Sequence, residues 1–566
     1  MLPRIIVAIA LAAFLTASAF AGELQAPAIT LSAVDWDAAA ASLTDSGTEP
    51  AADAFTRLDA IVDKRFPGIA KSSVPVLLPF DVDAFRKDIA IGKPDAATSG
   101  KYFGGFHQTR FFLPGPAGYD ALFTLSNKED GLKIRFDKPI QFEMSGAAFV
   151  YDLDGPYHIE KETPAPKELA EAFPGIRRIL SEAHLRYVFQ RFGVPYVLSI
   201  QCYDQHPSSK HLACKEADPL AIRFLNLLHT AGGTPAKIEQ PTFDLSRPKK
   251  QSEDFTFYSP GDLIENSGWH KMPGRVDYHV YARMRFPIAD APAYVKSQSF
   301  MPWGDCYHTG IVGHIGKKGA HYHCRLNDKP LVFDESAPEN FTYPWRDNFC
   351  ELRDFLVGQC PGGYGHQGED IRPANCVLFN AEGDRCEPYQ HTVAAVRDGT
   401  LRRMPGNIGV YIVVNDRNDH VRFRYLHMNP KFMDADGLLN GRQVSQGEII
   451  GKVATWGDFE SGTSYHIHFN IQVFTNIGWV WVSPYMTLVT AYERLIGARG
   501  RELMPGEPAP PTPDKPPAIM HPELVPPPDP NVTPLPPAKV EKPPAEHAKP
   551  HRRHHVRHRR KHKTEE

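Results

Sequence analysis

Residues 345–500 of this 566-residue chain read as a mainly β, antiparallel, sandwich-like domain, preceded by an α+β accessory region and followed by a disordered, proline-rich and basic tail. Three observations carry this reading. Segments such as "GVYIVVNDRNDHVRFRYLHM" and "SYHIHFNIQVF" are β-branched and aromatic runs separated by Gly or Asp/Asn turns, the composition of paired strands. Upstream, strand-like and helix-like periodicities alternate. Downstream, 18 prolines fall in the 46 residues from Pro505 to Pro550, which excludes helix and central strand.

The elements follow in order. Residues 1–21 have a charged start, an apolar run from Ile5 to Leu15, and an Ala19-Phe20-Ala21 end. That is the pattern of a cleaved export signal, with an apolar stretch too short to span a membrane. Residues 22–75 form an Ala- and Asp-rich segment, helical around "AADAFTRLDAIVDKRF". The accessory region, 76–300, opens with strand-like "VPVLLPF", "KIRFDKPIQFEM" and "GAAFVYDL". There "IRRILSEAHLRYVFQRF" has helical periodicity and "PYVLSIQCY" reads as a strand. "PLAIRFLNLLHTAGG" reads as a helix stopped by Gly, and "RVDYHVYARMRF" alternates like a strand. Its role is not legible. Residues 301–344 are a Cys- and His-rich connecting segment.

Beyond the β domain come a linker at 501–550, expected to be extended and polyproline-like, and a basic end at 551–566. His547 to Lys563 holds eight Lys or Arg and six His, too little apolar surface to fold. Such a tail would bind polyanionic wall polymers or anionic membrane surfaces, more strongly as its histidines charge near pH 6. No nucleic acid is expected as a partner of an exported chain. Net charge over the whole chain is only -3, so the basic character is confined to this end.

The eight cysteines, an even number, agree with an oxidising compartment. They lie as near neighbours: Cys202 and Cys214, Cys306 and Cys324, Cys350 and Cys360, Cys376 and Cys386. Eight cysteines allow about 105 pairings; the sequential one is favoured because short loops close most readily. None of these pairs is C-x-x-C, so a zinc ribbon or a dithiol redox motif is not indicated.

In "CPGGYGHQGEDIRP", His366 and Asp370 stand four apart. About 100 residues on, His466 and His468 alternate within one strand-like run, which places both imidazoles on one face. Imidazole nitrogen and carboxylate oxygen are zinc ligands, and a catalytic zinc site takes three of them with one position open. His366, Asp370 and one of the two strand histidines would make such a site.

Taken in order, His366-x-Gly-x-Asp370, "YLHM" with His427, and "HIHFN" with His466 and His468 resemble the lysostaphin or LytM-type zinc endopeptidases of bacterial cell walls. "TVAAVRDGTL", "GRQVSQGEIIGKV" and "WVWVSPYMTL" resemble that family's remaining strands. The resemblance implies a LytM-type β fold. It makes His366, Asp370 and His468 the zinc ligands, with His427 and His466 beside the metal as catalytic residues that orient and deprotonate water and steady the oxyanion. It also implies hydrolysis of peptide cross-links in peptidoglycan stem peptides. With export into a periplasm, the bond would be D-alanyl to diaminopimelate. Two departures stand out: an insertion between Ile371 and Val393 that holds Cys376 and Cys386, and Asn470 where the family commonly has Glu.

Some relatives of these enzymes are non-catalytic regulators of wall amidases and typically lack metal ligands; all five residues are present here. A wall-binding protein worked by residues 76–300 is the other alternative. Two further His groups are set aside. "CYHTGIVGHIGKKGAHYHC" holds His308, His314, His321 and His323, but it precedes the His-x-x-x-Asp element and reads as a disulfide-closed loop. His391 reads as a loop histidine.

Overall fold

Two antiparallel sheets dominate the computed structural model, which describes residues 22–43, 49–125, 139–202, 212–265, 267–289, 292–296, 341–353, 355–373, 389–404, 409–454, 465–504 and 506–510, with four two-residue strands between 307 and 330. These residues belong to one compact unit. The expected export signal, the insertion with Cys376 and Cys386, His314, His321 and the tail from residue 511 lie outside the described residues.

The first sheet has seven strands in the order His107–Gly115, Gly118–Leu125, Ile140–Ala147, Val194–Gln201, His184–Arg191, Arg177–Ser181, Lys161–Thr163. Here the expectation for "IRRILSEAHLRYVFQRF" fails. The stretch is not a helix but a hairpin, with Ser181 paired to His184. The two turn residues, Glu182 and Ala183, have φ of 52° and 58°, the positive pair of a type I′ turn. A tertiary clamp replaces the missing turn signal: the buried Glu182 carboxylate accepts from Tyr157 Oη at 2.9 Å and Arg186 Nη2 at 3.1 Å. Two more expectations need revision. "PLAIRFLNLLHTAGG" is a helix only over Asp218–Leu225; Leu228–Gly232 is a strand paired with Val76–Pro79. "RVDYHVYARMRF" forms no strand. Its backbone bonds to scattered loops instead, Val280 N to Gln25 O and Arg285 N to Val396 O, both at 2.9 Å. The helix expected near residue 51 is present as Ala51–Val62.

The second sheet has eight strands. Ala293–Val295, Glu369–Pro373, Ile467–Thr475, His420–Leu426, Gly409–Asn415, Gly399–Arg403 and Gln443–Val444 follow one another, and Gly478–Val482 pairs with Ile467–Thr475. A continuous apolar core runs through both sheets, from Leu58 and Phe123 to Phe423, Ile471 and Leu495. Between them lies a buried polar cluster. Glu143 accepts from Arg402 Nη1 at 2.9 Å and from Arg422, while Asp120 meets His420 Nε2 at 3.0 Å and Ser145 Oγ at 2.5 Å. Arg186 of the first sheet donates to Trp479 O of the second at 2.6 Å. Buried ions that are paired and hydrogen-bonded fix how two faces meet.

Bridges Cys202–Cys214 and Cys350–Cys360 are formed, two of the four expected pairs; the other four cysteines fall outside the described residues. Among the described residues no helix is long and apolar enough to cross a membrane.

Candidate metal centre

Strand register assembles the site. Asp370 lies directly opposite His468 in the pairing of Glu369–Pro373 with Ile467–Thr475. On the other side of that strand, Leu426 lies opposite His468, so His427 emerges at the same level. His427 has φ +66°, a left-handed conformation that costs a non-glycine residue energy and often marks a functional position. His366 precedes its strand. It is held by its own backbone, N to Glu351 O at 2.7 Å and O to Cys350 N at 3.0 Å, beside the Cys350–Cys360 bridge. Gly365 is required here, since a Cβ would come within 2.7 Å of Cys350 Cα.

The three expected ligands converge. His366 Nε2 is 2.9 Å from His468 Nδ1 and 3.4 Å from Asp370 Oδ1, and His468 Nδ1 is 3.0 Å from Asp370 Oδ1. Atoms bound to one zinc at 2.0–2.1 Å along tetrahedral directions stand about 3.3 Å apart, so this spacing suits an ion at the centre. The donor set is two imidazole nitrogens and one carboxylate oxygen, and these residues form a group that could hold a metal ion. The second carboxylate oxygen, Asp370 Oδ2, is buried with no hydrogen-bond partner among the described residues, spare capacity that suits a cation. Burial lowers the pKa of both His366 and His468, which favours the neutral imidazoles that ligate metals. Burial alone would raise the Asp370 carboxyl, yet His366 and His466 outweigh it and hold it well below the usual carboxylate range.

His466 is fully buried, with Nε2 3.2 Å from Asp370 Oδ1. Half-buried His427 lies against it, ring centres 4.5 Å apart, and 6.0 Å from the His468 ring. All five residues are therefore brought together. His391 is half-buried with its ring 6.5 Å from that of Tyr465 and is not one of the three residues that converge as a possible metal-binding group. His308 and His323 belong to two short paired strands whose side chains lie outside the described residues.

Sequence reading missed the supports. Asn348 O accepts His366 Nδ1–H at 2.9 Å and Asn348 Oδ1 accepts Asp370 N–H at 3.0 Å. Asn470, noted only as a departure, contacts His468 Nε2 through Nδ2 at 2.8 Å and is itself held by Arg424. Arginine alternation in "VRFRY" was the one available signal for Arg424.

No family model matches the chain, and no curated protein matches it. Among solved structures, a Ruminococcus gnavus protein provisionally named glycyl-glycine endopeptidase lytM matches at 22% identity over 25% of this chain, with a TM-score of 0.18. The match spans about half of that protein, 53% of its chain. At that TM-score the likeness carries no argument about fold or activity.

Proposed function

We propose that this chain is an exported zinc endopeptidase of the lysostaphin or LytM type that hydrolyses peptide cross-links of bacterial peptidoglycan, with D-alanyl to diaminopimelate as the bond cut in a periplasm. One observation supports this above the rest: His366 Nε2, Asp370 Oδ1 and His468 Nδ1 converge within 3.4 Å of one another, with two more imidazoles alongside. The periplasmic placement rests on the amino-terminal sequence and is in keeping with the two disulfides.

His366, Asp370 and His468 would hold the zinc, which when bound lowers the pKa of a water molecule to about 7 and polarises a carbonyl. The chain's own residues do the rest. Asn348 O holds the His366 proton on Nδ1 and so points the Nε2 lone pair into the site. His466 Nε2 steadies the Asp370 carboxylate. His427, the most open of the five, would take a proton from the attacking water and return it to the leaving amine.

The test uses the full chain stripped of metal and then reloaded. It should take up about one zinc per chain and release cross-link cleavage products from purified peptidoglycan, detected by mass spectrometry. Asp370→Ala should lose both zinc and products. Stoichiometric zinc in Asp370→Ala, or digestion that persists without metal, would overturn the proposal.

A further inference from the structure

The imidazole of His468 is gripped on its outer edge by a buried pair of residues. Arg424 and Asn470 face each other in the strand register. Arg424 Nε donates to Asn470 Oδ1 at 2.7 Å, Arg424 Nη2 donates to Gln367 Oε1 at 2.6 Å, and the guanidinium lies over the Trp481 ring at 4.0 Å. A guanidinium has donors only. The amide oxygen of Asn470 must therefore face Arg424, and its NH2 must face His468 Nε2, 2.8 Å away. Gly368 confines the amide further: a Cβ there would lie 2.4 Å from Asn470 Nδ2.

His468 Nε2 is thus an acceptor. In a neutral imidazole the single proton then sits on Nδ1, facing Asp370 Oδ1 at 3.0 Å. Metal binding through Nδ1 needs the reverse, with the proton on Nε2 and donated outward, ordinarily to a carboxylate or carbonyl.

We infer that Arg424 and Asn470 are positioning residues that hold His468 in the tautomer opposed to metal binding, so that this chain takes up zinc more weakly than the same three ligands would with a carboxylate at position 470. The inference rests on the zinc reading of the site. Uptake has to break the Arg424–Asn470 hydrogen bond, letting the amide turn its oxygen toward His468. In Asn470→Asp no such rearrangement is needed, because one carboxylate oxygen can accept from Arg424 and the other from His468 Nε2–H.

The experiment measures zinc affinity of the full chain, stripped of metal, by competition with a chromophoric chelator, together with the visible spectrum of the cobalt-loaded protein and the melting temperature without metal. Partners of this kind shift metal affinity by about 10- to 100-fold, so Asn470→Asp should bind zinc about 10- to 100-fold more tightly than wild type, with an unchanged cobalt spectrum. Arg424→Met, which frees the amide to turn, should also bind more tightly. A merely structural pair would give weaker binding in both. Equal or weaker affinity in Asn470→Asp with an unchanged melting temperature would overturn the inference. If that variant does not fold, equal or weaker affinity in Arg424→Met would do so. Absence of zinc binding in wild type and both variants would refute the zinc reading itself.

Discussion

Replacing Glu143 by Gln tests whether the two sheets are joined by charge. Glu143 is buried in the first sheet and accepts from Arg402 Nη1 at 2.9 Å and Arg422 Nη1 at 3.2 Å, both buried in the second. Gln keeps the shape and removes the charge, leaving both guanidiniums buried without the Glu143 carboxylate; Arg422 keeps Asp120, whose Oδ1 is 3.5 Å from its Nη2. Removing one partner from a buried ion pair costs about 3–5 kcal/mol. The described residues between 22 and 510 belong to one compact unit. At an unfolding entropy of about 2.1 cal/mol/K per residue, a unit of that size loses about 1 kcal/mol per degree, so the melting midpoint at pH 7 should fall by about 3 to 5 °C. The pH dependence has a fixed sign. Burial would raise the Glu143 carboxyl, but Arg402 and Arg422 outweigh it and lower it. Its stabilisation is therefore present above the unfolded value near about 4.3 and lost as pH falls through the folded one. The gap between wild type and Glu143→Gln should narrow below pH about 4. Calorimetric melting at pH 7 and pH 3.5 reads both effects. A midpoint change under about 1 °C at pH 7 would refute the idea that this cluster holds the sheets together.

Other outcomes follow from the same geometry. His427→Ala should keep its zinc and lose about 100-fold or more in peptidoglycan cleavage, measured by metal content and product release; zinc lost together with activity would make His427 a ligand or a folding residue. Burial pushes the Asp59 carboxyl up to about 7 despite the hydrogen bond from Gly233 N at 3.0 Å. Protonation therefore favours the folded state: the stabilisation is full below about pH 3.9 and is lost as pH rises to about 7. Wild-type melting temperature should rise between pH 8 and 5.5 through this group, and Asp59→Asn should flatten that rise; an identical profile in the variant refutes it. Deleting residues 511–566 should spare cleavage of soluble muropeptides and weaken pelleting with sacculi or anionic vesicles, more at low salt and at pH 6 than at pH 7.5. Equal pelleting of both forms would exclude the tail as a tether.

What the sequence disclosed divides along a physical line. The hairpin from Gly409–Asn415 to His420–Leu426 was legible because β-branched and aromatic residues fill both strands and its turn carries "NDRND", where Asp416 Oδ1 accepts from Asn418 N and Asp419 N at 2.8 Å. The hairpin at Glu182-Ala183 was not, because its positive φ pair is held by Tyr157 and Arg186 rather than by Asn or Gly. In the site, metal chemistry restricts residue type, which made His366, Asp370 and the His466/His468 pair candidates; because His321 and His323 share the same spacing, it was the order along the chain in the resembled family that singled out His466 and His468. Their supports obey no such restriction. Asn348 precedes His366 by 18 residues and acts partly through its backbone carbonyl, which any residue could supply. Arg402 and Arg422 reach Glu143 across 259 and 279 residues; in one dimension they are only polar alternation on a strand. Asn470 shows the consequence most clearly. Read along the chain it is a single departure from a resembled pattern. Read in the fold, its meaning depends on Arg424 across the ladder, because that guanidinium decides which end of the amide His468 meets, and so whether the ligand's outer nitrogen gives a proton or receives one.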